Sequence, residues 1–160
     1  MYEETKVQIF QKLSGARQTL LATLDDLEPE QWETIVYTEH ADWTFKDLFG
    51  HLMDSERSMT RLIEVIREGS EGVPADFDLN RWNARTIRKT TDLTIDQIRS
   101  EMTTNRGRLL EMLNSMPNED WTKEGRHGSL QVMSVEQILN LIADHENQHL
   151  ADILHVIEGG

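Results

Sequence analysis

Apolar positions recur at three- and four-residue steps along most of the chain, the spacing that lines one face of an α-helix. Val7, Ile9, Phe10, Leu13, Leu20, Leu21 and Leu24 set a first helix from about Glu3 to Leu27, and Pro29 closes it. Thr44 with Asp47 forms an acidic capping box that opens a second helix. Its stripe is Leu48, Leu52, Met59, Leu62 and Ile66, and Gly69 stops it. Thr94 with Gln97 opens a third, which carries Ile98, Met102, Leu109 and Met112 to about Ser115 before Pro117. Ser134 with Gln137 opens the last, which holds to about Ile157. Residues 69 to 93 form a connector with a short helix expected around Asn80 to Lys89.

These elements predict an all-α protein, a four-helix bundle forming one domain over residues 1–160. The connectors run to about 17 or 18 residues after the first and third helices and about 25 in the middle, against roughly 2–8 in simple bundles. Loops of that length can cross a bundle end, so an up-down-up-down order is not forced. The Pro-then-Trp spacing of Pro29–Trp32 returns in Pro117–Trp121. Each copy ends a helix, crosses a polar loop with a histidine (His40, His127) and meets a capped helix. Two similar helical hairpins therefore point to pseudo-symmetry; chance likeness of two connectors is the alternative.

Composition narrows the function. Cysteine is absent, which removes thiol nucleophiles, disulfides and cysteine-ligated metals from the sequence. Lys plus Arg number 16 against 29 Asp plus Glu, a formal charge of −13. So acidic a chain repels phosphate backbones and anionic lipid, and neither nucleic acid nor a membrane is an expected partner. No apolar run approaches the ~18 residues of a bilayer span. Met1 to Lys6 do not read as the start of a signal peptide, so the expected location is cytoplasmic.

The histidines carry the candidate chemistry. At ~100° per residue, His149 and Glu146 fall within the apolar stripe of the last helix, which Val135, Ile138, Leu139, Ile142 and Ile153 define. His145 lies on its margin one turn earlier, and His51 lies on the inward side of the second helix. Two His at i and i+4 can grip one divalent ion, and a third from a facing helix leaves positions open for water, as in catalytic sites. Zinc, nickel or iron suits three imidazoles. Glu146 is the candidate orienter or general base; an ion-paired Glu is the alternative. His145–His149 is also a literal H-E-x-x-H, and His155 has a metzincin offset. However, Asp152 stands where that pattern needs glycine, and a continuing helix turns His155 away. A metalloprotease stays a minor alternative. Arg81, Arg85 and Arg88 fall on one face of the short helix, where Arg81 and Arg85 can clamp the carboxylates of a small thiol. Pairing with nearby Asp and Glu is the bland alternative.

Trp43-Thr44-x-x-Asp47-x-x-x-His51-Leu52 resembles the start of the second helix in the DinB/YfiT-like superfamily, and His145-x-x-x-His149 resembles its second metal motif. Phe77-Asp78 and Arg81-Trp82-Asn83 look like its middle segment. The resemblance implies an up-down-down-up four-helix bundle, often a homodimer, with a divalent metal held by His51, His145 and His149. It implies a small-molecule substrate and either hydrolysis or transfer to a low-molecular-weight thiol such as bacillithiol. A non-catalytic metal- or ligand-binding dimerisation module is the rival reading.

Overall fold

The computed structural model describes residues 1–37 and 42–159. His40, expected in a solvated loop, lies outside them. Five helices are present: α1 (Glu3–Asp25), α2 (Phe45–Arg67), α3 (Leu79–Thr90), α4 (Ile95–Ser115) and α5 (Val135–Ile157). The caps expected from sequence form. Thr44, Thr94 and Ser134 each accept from the backbone N–H three residues on, and the side chain there returns the bond. Each box satisfies donors that a helix start leaves open.

Two short hairpins were not foreseen. β1 (Ile35–Tyr37) pairs with β2 (Trp43–Thr44), and β3 (Glu124–Arg126) with β4 (Val132–Ser134), both antiparallel. Strands of two or three residues leave no readable alternation. Gly72 runs beside Arg126 with φ +94°, and a Cβ there would lie 2.3 Å from the Arg126 backbone, so the close approach requires glycine.

α1 lies along α5, and α2 lies between α5 and α4. One core cluster joins Ile9 and Leu13 to Met59–Ile66, Leu109–Met116 and Val135–Ala143; the other joins Leu20 and Leu24 to Phe45–Met53, Ile98, Met102, Leu150 and Ile153. Sequence therefore advances in the same sense on α1 and α5, and in the opposite sense on α2 and α4. This is the up-down-down-up order. Val7, assigned to the α1 stripe, is instead exposed.

The repeat is real in three dimensions. Each half runs helix, 3-10 turn (Pro29–Glu33 or Asn118–Asp120), hairpin, capped helix. At the centre, Arg17 bonds Glu146 at 2.8 Å and Glu56 at 3.2 Å, and Arg106 bonds Glu56 at 2.7 Å and Glu146 at 3.2 Å. Arg17 also donates to the carbonyl of Met102, and Arg106 to that of Leu13. Arg17 and Arg106 precede Trp32 and Trp121 by equal steps, and Glu56 and Glu146 follow Thr44 and Ser134 by equal steps. The four charges form a closed, neutral, pseudo-twofold ring that ties all four bundle helices.

Removing one member leaves a buried carboxylate short of a partner. Arg106→Leu is expected to cost about 3–5 kcal/mol of unfolding free energy in urea titration. Adding Glu56→Leu, which leaves Arg17 and Glu146 balanced, should cost less than the two single losses summed. A single-variant loss under about 1 kcal/mol would contradict the ring's role.

Candidate metal centre

Hairpin β1–β2 and the caps at Thr44 and Ser134 fix where α2 and α5 begin, and the two helices cross with His51 facing His145 and His149. His145 Nε2 lies 2.9 Å from His149 Nε2 and 3.2 Å from His51 Nε2. One ring nitrogen from each of the three lies within 4.8 Å of the others. Two nitrogens bound to one ion at ~2.0–2.1 Å stand roughly 2.8–3.4 Å apart at angles near 90–110°, so the 2.9 and 3.2 Å separations fit a shared ion. His51 is buried against Trp43, ring centroids 5.0 Å apart, and the other two rings are partly buried.

Outer contacts orient the trio. Tyr37 on β1 donates to the Asp152 carboxylate, and its oxygen sits 3.0 Å from His149 Nδ1. A tyrosine committed to Asp152 accepts from Nδ1–H, which leaves the Nε2 lone pair turned inward. Burial, then the hydrogen bond and charge of Asp152, raises the Tyr37 pKa, so the phenol keeps its proton. Burial, then the neighbouring imidazoles, lowers His51 and His145 from 6.5 to about 3. His149 is also lowered by burial, with the Asp152 charge opposing. Neutral rings are the ligating form.

A cleft of about 880 Å³ opens beside the trio, with His51 and His145 in its wall. α2, α3, residues 72–77, the β3–β4 turn with His127, Arg108 of α4 and Leu141 of α5 line the rest. His127 bonds Ser129, and burial lowers its pKa. α3 is fastened by Asp54, a residue the sequence reading passed over. This buried carboxylate accepts from Trp82 Nε1, Thr86 Oγ1 and Arg57.

The other expected residues fall differently. Arg85 lines the cleft and Arg81 does not. Among the described residues neither forms a salt bridge, so the bland pairing is not what holds them. Both Glu146 oxygens are held by arginines in the charge ring, the ion-paired alternative to its expected role as orienter or general base. His155 is exposed and outside the trio, and with Glu146 engaged the H-E-x-x-H protease arrangement is not assembled. Tyr37 and Asp152 were missed because Tyr37 reaches α5 only through long-range folding. Asp152, one turn beyond His149, carried a faint signal.

An up-down-down-up bundle with three histidines converging between α2 and α5 defines the structural class. The chain belongs to the DinB superfamily, whose sequence model matches residues 12–153. Its fold is similar to YfiT from Bacillus subtilis, described as a probable metal-dependent hydrolase with an unusual four-helix bundle topology. The TM-score is 0.78 at 18% identity over 97% of this chain and 87% of that one. It is similar to TT2238, a four-helix bundle protein, at TM-score 0.69, 19% identity and 94% and 98% coverage. It also resembles the mycothiol-dependent maleylpyruvate isomerase, at TM-score 0.71, 15% identity, 90% of this chain and 60% of that one. A search of curated proteins finds no match.

The depressed histidines make stability pH-dependent with a definite sign. Unfolded imidazoles protonate near 6.5 while the buried rings stay neutral to about 3, so the native state binds fewer protons. Chelator-treated protein should therefore lose stability as pH falls below about 6.5, the loss accruing toward pH 3. His51→Gln should flatten the fall between pH 7 and 5, above the range of ordinary carboxylates. An equal slope in the variant would mean that His51 does not carry it.

Proposed function

We propose that this protein is a divalent-metal enzyme acting on a small-molecule substrate, with His51, His145 and His149 as the metal ligands. The observation that carries the reading is the trio's 2.9 and 3.2 Å nitrogen spacings beside an open cleft. Three inward lone pairs so close together repel one another unless a cation or proton lies between them, and the rings' low pKa values disfavour protons. Zinc, nickel and iron all suit such a nitrogen set.

A divalent ion there would supply Lewis acidity, making water or an incoming thiol a nucleophile near neutral pH. The chain's own residues do the rest. Tyr37 and Asp152 hold His149 in one tautomer. Trp43 packs against His51 and shields it. Glu146 acts as a positioning residue: its bonds to Arg17 and Arg106 pin α5 beside His145. The absence of cysteine means that any thiolate arrives with a substrate, and Arg85 in the cleft wall supports a carboxylate-bearing thiol such as bacillithiol. The described likeness of YfiT to a metal-dependent hydrolase supports water as the alternative nucleophile in the same site.

The test compares chelated and zinc-, nickel- or iron-loaded protein. One assay follows transfer of low-molecular-weight thiols to monochlorobimane, and another follows hydrolysis of an ester and amide panel. Metal-dependent turnover in either assay is expected, abolished by His149→Ala together with the bound metal. Tyr37→Phe should weaken metal affinity by roughly 10–100-fold. Metal uptake without turnover in any assay would favour a binding module, and full metal occupancy in His149→Ala would remove that residue from the ligand set.

A further inference from the structure

The cleft has two ends of different chemistry, and the pseudo-twofold axis explains why. Leu141, Ser55, Met59, Leu62 and His127 hold the same offsets from their own helix caps as His51, His145, His149, Asp152 and Tyr37 hold from the caps of the opposite half, so they form the pseudo-twofold copy of the metal site. All five line the cleft. The duplicated site thus keeps its ligating side chains in one copy and has largely apolar ones in the other. Val65, Val73, Pro74 and Phe77 extend that apolar copy.

Charge is distributed the other way. α3 runs antiparallel to α2: Thr90 lies over Gly50, where an added Cβ would sit 2.8 Å from Thr90 Oγ1, and Thr86 and Trp82 reach Asp54. Arg85 and Lys89 therefore stand level with His51 to Asp54, at the histidine end. Arg57, Arg61 and Arg108, which also line the cleft, are paired with Asp54 or Glu64. Among the described residues Arg85 and Lys89 have no carboxylate partner, in a chain of net charge −13. The volume lies within the range of about 300–1,000 Å³ usual for small-molecule sites.

We propose that the cleft binds an amphipathic anion, its acidic head between Arg85, Lys89 and the histidine end and its hydrocarbon or aryl body along Met59, Leu62, Val65 and Phe77. This deepens the proposed function by giving the substrate class, and rests on it only for what reacts at the head. Two oppositely charged probes of equal chain length separate head recognition from apolar burial, since both bury the same tail.

The experiment is calorimetric titration of decanoate and decylammonium into chelated and metal-loaded protein. Decanoate is expected to bind one per chain in both preparations, at least about tenfold tighter than decylammonium, a difference of about 1.4 kcal/mol. Arg85→Glu and Lys89→Glu, both at exposed positions, should each weaken decanoate by about tenfold with metal content unchanged. Equal affinity for the two probes, unchanged binding in both variants, or decanoate binding only to metal-loaded protein would overturn the proposal. Decanoate binding to protein that takes up no metal would leave it standing and remove the metal reading alone.

Discussion

Four buried charges at the bundle centre constrain everything around them. Arg17, Glu56, Arg106 and Glu146 come from four different helices, and each bonds two others. A closed neutral ring satisfies its members only if all four helices keep their axial register, because a slip of one turn, about 5.4 Å, would strand a charge in the core. Apolar packing alone tolerates more variation. Glu146 is followed one turn later by Leu150 in the core and preceded in sequence by His145, so the register that satisfies the ring also delivers His145 and His149 to His51.

The same ring marks the pseudo-twofold axis, and the two halves have diverged around it. Caps, 3-10 turns, hairpins, arginines and glutamates match between halves. Tyr37 and His51 from the first half meet His145, His149 and Asp152 from the second at one site, and at the pseudo-twofold-related site leucine, methionine and serine stand in most of their places. A duplicated helical hairpin builds one stable frame with two adjoining surface sites. One site is suited to holding an ion and the other to burying apolar groups, and the cleft joins them.

Helix limits were legible because α2, α4 and α5 each open on a capping box and a glycine or proline follows the ends of α1, α2, α4 and α5, all local signals. The element bounds differ from the expected ones by about two residues at most. The three histidines were legible because helical phase alone turns them inward. What was not legible depended on contacts across the fold. Tyr37 meets His149 through a hairpin whose strands are too short to announce themselves. Asp54 gave no local signal, because its partners Trp82 and Thr86 come from α3. Glu146 was placed inward correctly, yet phase cannot tell whether an inward carboxylate meets an ion or an arginine; Arg17 and Arg106 decided it. Arg81 and Arg85 shared a helix face by spacing, but only the path of the connector put one of them in the cleft and the other outside it.

The central claim is that three imidazoles share one ion. X-ray absorption on protein loaded with one equivalent of zinc reads the ligand set directly. The account predicts three imidazole nitrogens at about 2.0–2.1 Å, completed by one or more light atoms that are not protein ligands. A spectrum with fewer than three imidazoles, or a carboxylate-dominated oxygen shell, would contradict it.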